Sequence, residues 1–153
     1  MTIERSPRSG RQMAIALCAA GLLAASLGAQ DAAVVASDAW VRLPPPSRDQ
    51  TALFVVLENH SDQRRAVVSA STDTAERAEL HEMKQENGMM RMRPVKEIVI
   101  PAKGKTALAP GGLHVMLFGL KTRPAAGDVL NVTLKLDDGS TVPVKATARA
   151  PEQ

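Results

Sequence analysis

An all-β sandwich is the fold this sequence predicts, and three observations predict it. Short runs alternate apolar and polar residues with a period of two. Turn signals rich in Pro, Gly, Asn and Asp separate these runs at even spacing. Only the short stretch 72–77 carries helical promise. Many short strands divided in this way make two packed antiparallel sheets around one core.

The chain has 153 residues, enough for one domain. Its first 29 residues read as a cleaved signal peptide. Arg5, Arg8 and Arg11 give a basic start, and Met13 to Leu27 runs apolar and small. A small-residue cut site follows at Ser26-Leu-Gly-Ala29. The apolar run is shorter than the ~20 residues that span a bilayer, which argues against an anchor. A lipid anchor at Cys18 is disfavoured, because Leu17 stands where a small residue is expected. Residues 30–153 are then the domain. Losing three Arg and one Glu lowers the formal net charge from +3 to +1, so the basic balance belongs to the leader. No clustered basic face suggests nucleic acid. The single Cys leaves too, so the core must hold the domain without disulfides.

Strands are expected at 39–43, 53–59, 65–71, 79–84, 89–95, 106–109 and 113–119. The clearest is 129–136, where Leu130, Val132, Leu134 and Leu136 share one face. Asp137-Asp-Gly-Ser140 turns the chain, and Val142, Val144, Ala146 and Ala148 resume the alternation as a hairpin. Pro143 points outward, which suggests a sheet edge or a strand start. Trp40, Phe54 and Phe118 are the only aromatics and are expected in the core.

The chemistry-bearing residues are His and Met. In a strand, residues two apart share a face. His114 and Met116 therefore project together, away from the apolar trio Leu113, Val115 and Leu117. Asn87-Gly88 signals a two-residue type I′ hairpin. The resulting register pairs Met83 with Met92 and sets His81 diagonal to Met92, so His81, Met83 and Met92 share one patch. Imidazole with thioether suits copper, and thioether in particular suits Cu(I); zinc prefers Cys, His and carboxylate. Met89 and Met90 read as ordinary fillers. His60 lies in a turn and reads as a surface residue. Without a Cys there is no thiol nucleophile and no blue-copper site. No nucleophile elbow and no phosphate loop is present.

The segments Leu80-His-Glu-Met83, Glu86-Asn-Gly-Met-Met-Arg-Met-Arg-Pro-Val95 and Pro110-Gly-Gly-Leu-His-Val-Met-Leu117 resemble the periplasmic copper chaperones called PCuAC. That family's pattern is a His, ten residues, a Met, twenty-one residues and His-x-Met, and His81, Met92, His114 and Met116 fall on it. The resemblance spans nearly the whole mature domain, including Ala39-Trp-Val-Arg42 and the closing hairpin. It implies a cupredoxin-like Greek-key antiparallel β-sandwich that binds one Cu(I) at an exposed site and has no catalytic turnover. It implies His81, Met92, His114 and Met116 as ligands, with Met83 as a supporting or alternate one. It also implies delivery of copper to cytochrome c oxidase, through a Sco-type protein or an oxidase subunit, in the periplasm. The mature chain is expected to be a monomer that does not span a membrane. Some members carry a His- and Met-rich tail for a second copper as Cu(II); Arg149-Ala-Pro-Glu-Gln153 has neither residue. Two rival readings are copper sequestration or resistance at the same site, and a metal-free Ig-like binding module.

Overall fold

A computed structural model of the chain describes Thr2 and residues 32–150. The expected signal peptide and its cut site lie outside the described residues. Ten strands are present among the described residues: β1 (Val34–Arg42), β2 (Gln50–Asn59), β3 (Arg65–Thr72), β4 (Ala75–Glu86), β5 (Met89–Pro94), β6 (Ile98–Ile100), β7 (Lys105–Leu108), β8 (Leu113–Leu120), β9 (Val129–Leu136) and β10 (Thr141–Arg149). They form one hydrogen-bonded sheet in the order β5-β4-β8-β2-β1-β10-β9-β3-β6, with β7 added beside β2. The all-β expectation holds. All pairs are antiparallel except β1 with β10, which run parallel, so the sheet is mixed.

The alternation read from the sequence is the alternation of burial. β9 and β10 expose and bury successive residues without a break. The core they line is wholly aliphatic, with Leu53, Leu57, Ile98, Ile100, Leu117 and Leu134 among its largest members. Phe54 is buried, as expected, but outside the aliphatic cluster, whereas Trp40 and Phe118 are only partly buried, contrary to expectation. The pleat explains why: Leu53, Val55, Val115 and Leu117 take the inward positions of β2 and β8, which leaves Phe54 and Phe118 on the other face.

One further expectation needs correction, and one strand was not expected. Residues 72–77 form no helix; β3 ends at Thr72 and β4 starts at Ala75 across a tight turn closed by Thr72 and Thr74 hydroxyls 2.9 Å apart. The Ile98–Ile100 strand was too short to stand out, yet both isoleucines are buried. Pro143 points outward where β10 is locally an edge, as expected, although β10 as a whole lies inside the sheet order. It pairs with Thr133 of β9, whereas β1 joins β10 only at Thr147–Arg149, after a bulge between Ser37 and Trp40. The ladder there is one-sided, so a residue without an N–H fits.

The β4–β5 hairpin follows the expected register from Glu86↔Met89 to Met83↔Met92. Asn87 and Gly88 have φ of 50° and 78°, as a type I′ turn requires. β8 lies on the other side of β4 and places His81 opposite His114. Three strands thus meet where the His and Met residues fall.

Leu117 is fully enclosed on the inward face of β8. Leu117→Ala should cost about 2–5 kcal/mol in a urea titration of the metal-free protein. A loss well under about 1 kcal/mol would show that this face does not carry the core.

Candidate metal centre

β8 contributes His114 and Met116, β4 contributes His81 and Met83, and β5 contributes Met92. The ladder sets His81 against His114, Glu79 against Met116 and Met83 against Met92. All project from the sheet face opposite the core. That face is nevertheless covered: His81, His114 and Met116 are only 6%, 4% and 7% exposed, whereas Met92 is 45% exposed. The expected exposed site is open at one thioether. Phe54 and Phe118 enclose the rest, their ring centroids 6.2 Å from His114 and 5.9 Å from His81.

Hydrogen bonding assigns the tautomers. His114 Nδ1 lies 3.0 Å from the Gly112 carbonyl and must donate to it. The same carbonyl accepts the Met83 N–H at 3.0 Å, so one oxygen ties β4 to the loop and fixes the ring. Burial, first of all, holds the His114 pKa below the usual imidazole value; the Gly112 hydrogen bond opposes this, and the Arg42 charge, with that of His81 whenever it is protonated, adds to it. The ring is neutral and its Nε2 carries a lone pair. That Nε2 faces Met92 Sδ at 3.3 Å. A thioether has no proton to give, so two lone pairs oppose each other with no hydrogen between them. A cation between or beside them resolves that repulsion.

His81 is prepared in the reverse sense. Its Nε2 lies 3.0 Å from a Glu79 carboxylate oxygen and donates to it. Its Nδ1 is buried and has no hydrogen-bond partner. An orphaned buried acceptor is costly unless something occupies it. Glu79 itself is held below the usual carboxylate range by Arg77 first and His81 second. A carboxylate that orients a ligating imidazole through its other nitrogen is a recurrent feature of metal centres. Sequence reasoning missed Glu79; its position two residues before His81, on the same strand face, was the available signal.

A cavity of about 180 Å³ lies against this set, lined by Met83, Met92, His114, Met116, Phe54 and Arg42 among others. His81 does not line it and stands across the ladder from His114. Three larger clefts of the described residues hold no Met, and only one of the three holds an imidazole, that of His60. His60 is exposed, 3.9 Å from Glu58, as a surface residue should be. Among the described residues no group of three or more His, Cys, Asp or Glu is placed to hold a metal ion. A metal bound at His81 and His114 would therefore need thioether sulfur as well. Two imidazole nitrogens with free lone pairs and the sulfurs of Met92 and Met116 fit a soft monovalent ion.

A family model described as "Putative lipoprotein LpqE-like" matches residues 34–148. A curated relative, "Putative lipoprotein Lxx21020" of Leifsonia xyli subsp. xyli (strain CTCB07), is 40% identical over 118 residues, covering 76% of this chain and 70% of its own length. The solution structure of CuI-DR1885 from Deinococcus radiodurans is 38% identical, with a TM-score of 0.65 over 85% of this chain and 87% of that one. The copper-bound PCuAC domain from PmoF2 has a TM-score of 0.66 at 19% identity, over 78% and 94% of the two chains, and speaks to the fold alone.

The neutral, buried His114 gives the metal-free protein a pH dependence. The unfolded chain takes up a proton below about pH 6.5, and the native ring resists it. Stability should be complete above that pH and fall as the pH drops through and below it. Urea titrations at about pH 7.5 and about pH 5 should show the loss, and His114→Gln should flatten it. An equal slope in that variant would remove His114 as its source.

Proposed function

We propose, from the premise that this chain belongs to the LpqE-like family, that it is an exported copper chaperone carrying one Cu(I) as cargo. The single observation that carries the reading is the opposition of two lone pairs, His114 Nε2 and Met92 Sδ, at 3.3 Å. His81 Nδ1, buried and unpartnered, supplies a second nitrogen, and Met116 a second sulfur. His81, Met92, His114 and Met116 are thus the proposed ligands. Met83, opposite Met92 and lining the same cavity, is the supporting or alternate thioether.

Cu(I) is favoured by charge as well as softness. The Arg42 guanidinium lines the cavity and sits 5.5 Å from the Phe54 ring centroid. A resident positive charge opposes a doubly charged ion more than a singly charged one. The relative from Deinococcus radiodurans, described with CuI, supports the same choice.

The protein is a carrier without catalytic turnover. Its acceptors are the copper centres of cytochrome c oxidase, reached through a Sco-type protein or an oxidase subunit. Cleavage near Ala29 would leave residues 30–153 as the working domain in the periplasm. The lipoprotein names of the relatives support an envelope location and make Cys18 the alternative processing point. Copper sequestration is the second reading, favoured by the burial of three of the four ligands. Net transfer of copper to a Sco-type protein supports delivery; retention against it supports sequestration.

Titration of the protein with Cu(I) against a competing chelator should show one equivalent bound. His114→Ala with Met116→Ala should weaken that binding about 100-fold or more, some 2.7 kcal/mol. Absence of binding, or affinity unchanged in the double variant, contradicts the reading.

A further inference from the structure

β5 stands at one end of the sheet order, and Met89, Met90 and Met92 on it are 56%, 52% and 45% exposed. An apolar edge strand is a liability that proteins blunt with charge. Charge is present on this hairpin, but it is sorted. The ladder places Glu82, Lys84, Glu86, Arg91 and Arg93 on one face with Met89. Met83, Gln85, Met90 and Met92 share the other face with His81. Glu86 and Arg93 pair with each other on the charged side. A neutral stripe of thioethers therefore runs from the cavity, which Met83 and Met92 line, outward to Met90.

We propose that Met83, Met90 and Met92 form an outer landing site for Cu(I), through which the cargo enters and leaves the inner His/Met set. The inference rests on the proposed function and adds a second site to it. Side chains opposite one another on a ladder have Cβ atoms about 5 Å apart, and those two apart on one strand about 7 Å. The long, flexible Met side chain closes such gaps. Thioethers are neutral and need no deprotonation, so they take a soft monovalent ion and give it up readily. The inner nitrogens and Met116 are buried, so a donor or acceptor protein cannot reach them directly. Met92 belongs to both sets: its sulfur faces His114 within, and Met90 stands two residues away on the same strand face. Passage is ligand exchange alone, and the copper stays Cu(I) throughout.

The test follows the methionine methyls by NMR in the full chain during anaerobic Cu(I) titration. The first equivalent should shift Met92, Met116 and Met83, which lines the same cavity, and further Cu(I) should shift Met90. Met90→Leu keeps the volume and removes the sulfur. It should abolish the second phase, leave inner affinity within about twofold, and slow release to a small soft chelator about tenfold. A Met90 methyl that stays still while Met116 responds overturns the landing site and spares the proposed function. Unchanged release by Met90→Leu also overturns it. So does slowing seen only with a protein acceptor, since Met90 would then be a docking contact. No shift at Met116 at any copper level overturns both readings.

Discussion

Two lone pairs held 3.3 Å apart, on His114 Nε2 and Met92 Sδ, are the constraint around which the functional half of this molecule is arranged. The geometry is unfavourable without a cation, and several independent contacts maintain it. The Gly112 carbonyl fixes the His114 tautomer and also bonds the Met83 N–H. The β4–β5 ladder, set by the Asn87-Gly88 turn, holds Met92 over β8. Burial keeps the imidazole neutral. A protein that serves only as a packed sandwich has no reason to keep this arrangement, nor to leave His81 Nδ1 buried without a partner.

The site also organises the aromatic residues. The chain has one Trp, two Phe and no Tyr. None enters the aliphatic core. Trp40 and Phe54 are 4.5 Å apart by centroid, Phe54 adjoins His114, His114 adjoins His81, and His81 adjoins Phe118. Arg149, Arg42 and Arg77 lie over Trp40, Phe54 and Phe118 at 4.4, 5.5 and 4.6 Å. Bulky rings exclude water from the imidazoles, and stacked guanidinium groups cover the rings without supplying an anionic ligand. A sheet face outside the core thereby becomes dry enough to hold soft ligands.

Most of this was legible where a local rule applies. Period-two alternation located the long strands, and Asn87-Gly88 specified the register that pairs Met83 with Met92. The same-face rule separated His114 and Met116 from Val115 and Leu117. What local rules cannot reach is neighbourhood across the sheet. That β8 lies beside β4, so that His81 opposes His114, is a matter of topology. The second covered face, which takes the aromatics, depends on it too. So does the depth of the site: sequence spacing shows that Met116 leaves the core face, not that Phe54 and the hairpin bury it. Glu79 escaped notice because a carboxylate on a strand is ordinary until its imidazole partner is seen at 3.0 Å.

The account stands or falls on whether His81, His114, Met92 and Met116 converge on one ion. X-ray absorption at the copper edge of the protein loaded with one equivalent of Cu(I) tests this most directly. It should show nitrogen and sulfur neighbours in equal number, with sulfur signal lost in part in Met92→Leu and imidazole signal lost in part in His81→Gln. A first shell of nitrogen and oxygen alone, or one indifferent to Met92→Leu, would contradict it.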